Sequence, residues 1–380
     1  MNILHLNTNY RNSKIHYNIV KHLNEIDGVD GVVVLPDLKE SNYKSDYTHD
    51  KEWEEMFLKK INCLNSIDKF MFHLRAKKVY KMIKQNVNVE SYDHTLAHSL
   101  YSNGFLALKL KEYYGITYSL IVTNTDINKY MKLMPHLKST ALKIMDEAEN
   151  IIYSSPAHKH RVLESIKKYH NFTKINEKSC VIPFGVDTFW LQNKRNINVT
   201  RELDSEVLKI LYVGKINANK NIQSTLEALN TLKKEIPKKI EFHIVGEPVG
   251  KSGQKILKNL KKDSLVKYHG IMKENDLLEK YRNSDLFIMP SLTESFGLVY
   301  VEAMSQGLPL IYSKGEGFDQ HFNDGIVGVA VNAKETNQIK EAVIRILDNY
   351  SVISNNSIEK VDNFNWVKIA NCFAEKMGRK

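Results

Sequence analysis

What most constrains this chain is a rhythm: short apolar runs, each followed by a helix-length amphipathic stretch, repeated along both halves. Asn2–Asn7 (NILHLN) is one such run, with a helical pattern from about Ser13 to Glu25, and Gly31–Leu35 (GVVVL) is the next. Tyr92–His98, Tyr118–Thr123 and Ile151–Ser154 continue it. Strands separated by helices are joined by crossovers, and crossovers make parallel sheets covered on both faces. The polar stretch Gln192–Ser205 (QNKRNINVTRELDS) has little to bury and is expected to link two domains. The rhythm then restarts, with strands predicted at Lys209–Val213, Glu241–Val245, Leu286–Pro290 and Pro309–Tyr312. Helices are predicted near Asn221–Glu235, Ser252–Lys261, Leu298–Gln306, Lys340–Asp348 and Trp366–Lys376. The expectation is two α/β domains in series, with a ligand between them at the carboxyl ends of the strands.

Charge narrows the partners. The 380 residues hold 54 Lys+Arg and 44 Asp+Glu, a net charge of +10. The excess is even, with 26 basic against 21 acidic residues up to Trp190 and 28 against 23 after it. Such a balance favours anionic partners. No basic stripe is interleaved with aromatics as in single-strand binders, so nucleic acid is not an expected partner. No apolar run approaches the ~20 residues of a membrane span. The start, MNILHLNTNYRN, has no basic leader and no long apolar stretch. Cys63, Cys180 and Cys372 are too far apart for a close-spaced metal knuckle and are expected as free thiols in a cytoplasmic protein.

Chemistry concentrates in Pro290–Pro309 (PSLTESFGLVYVEAMSQGLP). A strand ends, a loop carries Glu294, and Gly297 opens a helix in which Glu302 lies about a turn and a half along. The amides of Phe296, Gly297 and Leu298 at that helix start are a seat for phosphate oxygens or sugar hydroxyls. The two glutamates can line one cleft at different depths, or stand as a helix-start acid favoured by the dipole and a solvated helix acid. In Leu211–Asn221 (LYVGKINANKN) a strand ends at Gly214, and Lys215 and Lys220 lie in the loop before a helix. They can clamp a diphosphate opposite the Glu294 loop, or simply be solvated. Ile182–Phe189 (IPFGVDTF) is a turn signal. His98 and Asp126 each follow a predicted strand in the first half. His94 and His98 have the spacing of helical zinc ligands, but on a strand-then-loop segment with no third ligand. His158 and His160 lie two apart on a predicted helix and are expected at the surface.

Together these stretches resemble the retaining, nucleotide-sugar-dependent glycosyltransferases of family 4, which have the GT-B fold. The E-x-F-G-L…E-A-M…G-x-P run is Glu294 to Glu302 and beyond, and G-R-L-x-x-x-K-G is similar to Gly214-Lys215-Ile216…Lys220-Asn221. The I-P-N-G-V-D turn matches Ile182–Asp187, the I-V-G-[DE] strand end Ile244–Glu247, and the F-x-W segment Phe364–Trp366. The resemblance is strong over 182–310 and weak before residue 90. It implies two Rossmann-like domains facing each other across a donor-binding cleft. Residues 1–190 would form the acceptor side, 191–362 the nucleotide-sugar domain, and 363–380 a helix crossing back to the first domain.

The resemblance also implies roles. Glu302 would hold the donor's ribose and Glu294 the hydroxyls of its sugar. Lys215, Lys220 and the amides of Phe296, Gly297 and Leu298 would hold the diphosphate. Gly214 and Gly246 would end the strands beneath the donor, and His269–Met272, with Ile271 and Met272, would receive the base through backbone groups. His98 matches a histidine after the fourth strand and Asp126 the acid of H-G-x-D, and with Glu294, Lys215 and Lys220 they would be the catalytic residues. Departures lie at Thr8–Asn12, which lacks the family's glycines, at Thr123 and Asn124 in place of His-Gly, and at Lys215 in place of an arginine fork.

The implied activity moves a sugar from a nucleotide diphosphate to a hydroxyl of a glycan, glycolipid or protein acceptor, in the synthesis of cell-surface glycan or glycolipid. A GT-B epimerase, which needs no acceptor site, is one rival. A non-catalytic partner protein is another, although it would be expected to lack Glu294 or the lysines. There is no D-x-D motif and no acid cluster beside the donor loops, so no cofactor and no metal are expected. Phe57–Ile83 and Tyr130–Met145 carry apolar residues at near-helical spacing among Lys59, Lys60, Lys77, Lys78, Lys132, Lys138 and Lys143. They can form a basic face toward an anionic bilayer, or pack on the first domain's sheet.

Overall fold

A computed structural model describes residues 1–8, 10, 14–38, 56–65, 68, 72–198, 203 and 206–379. They fall into two units. One comprises Met1–Ser154, His158–Phe184 and Trp366–Lys380, and the other Ser155–Ala157 and Gly185–Asn365.

In the first unit, strands β1 (Asn2–Leu6), β2 (Asp30–Leu38), β3 (Leu58–Leu64), β4 (His94–Ala97), β5 (Thr117–Val122), β6 (Asn150–Tyr153) and β7 (Ser179–Val181) pair in parallel, in the order β3-β2-β1-β4-β5-β6-β7. Central β1 sets the register, with Leu4 opposite both Val32 and Thr95. Leu4, Leu6, Val34 and Leu120 from the sheet pack with Leu106 and Leu110 of helix Ser102–Tyr114 and with Ile144 and Met145 of helix Lys138–Glu147. Burial of such side chains is the main stabilising term, about 1.5–3 kcal/mol each. The final helix, Trp366–Lys376, belongs here. The Trp366 ring stacks on His22, with centroids 5.8 Å apart, and Asn150 Nδ2 donates to the Lys376 carbonyl at 2.6 Å.

The second unit holds β8 (Val207–Val213), β9 (Lys239–Val245), β10 (Val266–Gly270), β11 (Leu286–Ile288), β12 (Leu310–Ser313) and β13 (Gly328–Val331), all parallel, in the order β10-β9-β8-β11-β12-β13. In both units the order reverses beside the first strand, between β1 and β4 and between β8 and β11. At such a switch point the two following loops part to opposite faces, leaving a crevice beyond the strand ends.

The expected rhythm is present, with differences. Phe57–Ile83 is not one helical face: Leu58–Leu64 is an edge strand paired with β2, in which buried Ile61 and Cys63 alternate with exposed Lys60 and Asn62. The helix Phe72–Asn86 turns Ala76, Val79 and Ile83 into the unit and leaves Lys77, Lys78, Lys81 and Lys84 exposed. Tyr130–Met145 is broken at Pro135, which has no N–H to continue a helix, and Ala141, Leu142, Ile144 and Met145 are buried. β10, β13 and the helices Glu274–Arg282 and Tyr350–Lys360 lie outside the elements the periodicity predicts. His158 is buried rather than at the surface, while His160, two residues on, is exposed, as a 3.6-residue period requires. Parts of Thr8–Asn12 and of Gln192–Ser205, the start of the first helix at Ser13, and positions within Phe57–Ile83 lie outside the described residues.

Candidate functional site

The loops after β8 and β11 leave from adjacent strands, Ile210 lying opposite Leu286, and run out side by side at the switch point. After β8 the chain passes Gly214 and Lys215 and makes a short 3-10 turn, Ala218–Lys220. Asn217 caps this turn, its Oδ1 accepting from the Lys220 amide at 3.2 Å. After β11 it runs through Thr293 and Glu294 to Gly297 and the helix Leu298–Ser305.

These two loops are joined. Asn219 Nδ2 donates to the Thr293 carbonyl at 2.8 Å, and Asn219 Oδ1 accepts from the Thr293 amide at 3.0 Å and hydroxyl at 2.7 Å. One residue further on each side, Lys220 Nζ stands 2.6 Å from Glu294 Oε2, both side chains being largely buried. Glu294 is held from behind as well. Its amide donates to Glu316 Oε2 at 2.9 Å, and its Oε1 accepts from the Ser295 amide at 3.0 Å.

Gly297 has φ +83°, and a Cβ there would come within 2.4 Å of the Tyr300 ring, so only glycine makes this turn without displacement. No side chain caps the helix it opens, whose first amides and positive dipole end therefore favour an anion. Glu302, inside that helix, accepts from the Tyr281 hydroxyl at 3.0 Å. Burial, reinforced by the Glu302 carboxylate, pushes the Tyr281 phenol well up, so it stays a donor.

At the neighbouring strand ends, the Gly214 amide donates to the Val245 carbonyl at 2.9 Å and the Gly246 amide to the Gly270 carbonyl at 2.7 Å. A Cβ on Gly246 would lie 2.0 Å from the Gly214 carbonyl oxygen, so the backbones touch here. Lys215 is exposed, and its carbonyl accepts from the Tyr212 hydroxyl at 2.9 Å. Beyond β10, Ile271 is 72% exposed and Met272 half-buried. His269 stacks on His243, their facing ring nitrogens 2.9 Å apart.

His98 and Asp126 lie in the first unit. His98 follows β4, buried between two other histidines: its Nε2 is 3.0 Å from His5 Nδ1 and its Nδ1 is 3.1 Å from His16 Nδ1. Burial keeps all three neutral, holding His5 at about 3, His16 at about 4 and His98 well below the usual value. His94 turns elsewhere, to the Thr117 and Ser119 hydroxyls, and does not pair with His98. Asp126 is buried, and its carboxylate accepts from the amides of Leu100, Tyr101 and Thr123 and from the Thr123 hydroxyl. Burial raises its pKa against those four bonds. Its observed work is to tie the turn after β4 to the turn after β5. Asp187, of the Ile182–Phe189 turn, caps the helix Thr188–Gln192 by accepting from the Phe189 amide. Among the described residues no three His, Cys, Asp or Glu side chains are grouped to hold a metal ion.

Thus the structure brings Lys220, Glu294 and Gly297 together in the second unit. Asn219, Thr293, Glu316 and Tyr281 complete the arrangement without having been singled out from sequence. The asparagine-rich N-A-N-K-N was the available signal for the first of these; the rest have no local one.

Residues 193–361 match the family model of glycosyl transferases group 1. An uncharacterized 41.2 kDa protein in the cps region of Klebsiella pneumoniae is 30% identical over 151 residues, covering 40% of this chain and 39% of that protein. D-inositol 3-phosphate glycosyltransferase of Paenarthrobacter aurescens is 24% identical over 237 residues, covering 60% and 57%. The chain thus spans less than two thirds of the length of these curated relatives. Among solved structures, Anabaena HepE in complex with UDP superposes with a TM-score of 0.72 at 16% identity, covering 99% of both chains, and HepE has also been solved with UDP-glucose. The chain therefore has the GT-B fold of two Rossmann-like α/β domains, and the match to glycosyl transferases group 1 falls within its second unit.

Proposed function

We propose that this protein is a retaining glycosyltransferase that moves a sugar from a nucleotide diphosphate to an acceptor hydroxyl, in the synthesis of a cell-surface glycan or glycolipid. The observation that carries the reading is the Lys220–Glu294 pair at the β8/β11 switch point, beside the uncapped helix start at Gly297. Lys220 spends one of its three N–H donors on Glu294, and the other two can reach phosphate oxygens. With Lys215 and the helix dipole, these donors would stabilise a departing diphosphate without an ion, so the proposed reaction needs no divalent metal. Glu294 then meets the sugar, and Glu302, oriented by Tyr281, the ribose. In retention, the leaving phosphate lies on the face that the acceptor attacks and takes up the acceptor proton as the C–O bond to phosphate breaks and the new C–O bond forms. UDP, found in HepE, is the carrier we favour. The enzyme would work in the cytoplasm, held at an anionic membrane surface by the exposed lysines of helix Phe72–Asn86. NMR of the fresh product tests the stereochemistry: the anomeric configuration of the donor is expected, and an inverted product would refute retention.

A further inference from the structure

Three asparagines shape the loop after β8, but only one of them crosses to the other loop. Asn217 caps its own turn, and Asn221, at φ 55°, reaches the Ala333 carbonyl. Asn219 pairs with the chain after β11 as a strand residue would. Its carbonyl accepts from the Leu292 amide at 2.7 Å, and its carboxamide both donates to and accepts from the Thr293 backbone. The Thr293 hydroxyl adds a second donor to the same Oδ1. The ladder between β8 and β11 ends at Leu211 and Phe287, so these bonds lie well beyond it and are not needed to pair the strands. Lys220 and Glu294 are the next residues on each side. Any slip of Asn219 against Thr293 therefore slips the ammonium against the carboxylate.

We infer that Asn219 is a positioning residue for the donor site, its carboxamide fixing Lys220 and Glu294 in the geometry that the reacting diphosphate and sugar require. The inference rests on the reading of those two residues given above. A positioning error of about 1 Å in a charged site costs on the order of a hundredfold in rate. Asn219→Ala removes the clamp. Asn219→Asp keeps the acceptor but sets an anion against the Thr293 carbonyl, where it also competes with Glu294 for Lys220. Thr293→Ser keeps every bond.

The test measures release of nucleoside diphosphate from UDP-, GDP- and ADP-hexoses by wild type, Asn219→Ala, Asn219→Asp and Thr293→Ser, and by Asn219→Ala combined with Glu294→Gln. The expected loss in kcat/KM is ten- to a hundredfold for both Asn219 variants, carried mainly by kcat, with Thr293→Ser near wild type. In the Glu294→Gln background Asn219→Ala should cost less than threefold more, because it acts through that residue. Hydrogen exchange should quicken at least tenfold over residues 215–221 and 292–297 in Asn219→Ala, with β8 and β11 unchanged. If wild type turns over a donor and Asn219→Ala matches it within twofold, or its loss adds in full to that of Glu294→Gln, the inference falls and the donor-site reading stands. If wild type releases diphosphate from no nucleotide sugar, the donor-site reading falls and takes the inference with it.

Discussion

The ammonium of Lys220 stands 2.6 Å from a carboxylate oxygen of Glu294, although 74 residues separate them in the chain. The contact exists because β8 and β11 are neighbours at a reversal of strand order, which delivers their loops to one place. Each charge is largely withdrawn from water, so each depends on the other more than a surface pair would.

Replacing Glu294 with Gln keeps the shape and removes the charge. Turnover should fall more than tenfold in a protein that still folds, with a lowered melting midpoint because Lys220 loses its counter-charge, as read by initial rates and thermal melting. Glu302→Gln, and to a lesser degree Tyr281→Phe, should act mainly on donor KM, since Tyr281 orients Glu302. Near-normal turnover in Glu294→Gln would remove that residue from the chemistry.

Lys220→Ala should cost on the order of 2–4 kcal/mol in transition-state stabilisation, as for loss of other preorganised charge partners. Activity of the wild type should survive excess chelator. Loss of activity in chelator, restored by magnesium or manganese, would overturn the metal-free proposal.

Gly297→Ala places a methyl group against the Tyr300 ring at a φ of +83°. The substitution should lower stability by about 1–3 kcal/mol in urea unfolding and depress activity further by moving the helix start. An unchanged midpoint would show that the turn accommodates a side chain.

Histidine burial predicts a pH dependence of known sign. His5, His16 and His94 are held at about 3, 4 and 4, below the value near 6.5 of an unfolded chain. Between those limits the unfolded state binds protons that the folded state refuses. Stability should therefore be full above pH 6.5 and decline as pH falls toward 4, by about 1.4 kcal/mol per pH unit for each histidine. Asp126, raised by burial, works in the opposite direction, but as one group against these three and His98, His243 and His269, which burial lowers too. Urea unfolding at pH 7.5, 6 and 5 reads the slope, and a flat profile would mean these rings take up protons in place.

Vesicles rich in anionic lipid should co-sediment the protein at low salt and release it at high salt, because Lys77, Lys78, Lys81 and Lys84 of Phe72–Asn86 are exposed on the side away from buried Ala76, Val79 and Ile83. Failure to sediment at low salt would leave those lysines as solvated surface.

How much of this is legible in the sequence depends on how local each feature is. The helix Trp366–Lys376 and the strands at Glu241–Val245 and Lys209–Val213 carry their own periodicity and appear within two residues of where it puts them. Leu58–Leu64 hides because Lys59 and Lys60 blur its alternation, and Val266–Gly270 because an edge strand reading VKYHG has little apolar content. Gly297 is legible as the break before an apolar helix. The bonds from Asn219 to Thr293 and from Glu316 to Glu294 are not, since they follow from which strands are neighbours. The chain of His5, His98 and His16 is hidden for the same reason, joining β1, the end of β4 and the first helix.

We propose above that the β8/β11 switch point binds and activates a nucleotide sugar through Lys220 and Glu294. The most direct measurement of this is nucleoside diphosphate release by purified wild type and Lys220→Ala across a panel of UDP-, GDP- and ADP-sugars, with melting temperature recorded for each addition. At least one nucleotide sugar should raise the wild-type melting temperature and be turned over, UDP-sugars first, and Lys220→Ala should lose most of that turnover while remaining folded. A wild-type protein that neither binds nor cleaves any nucleotide sugar, or a Lys220→Ala variant as active as wild type, would contradict the proposal.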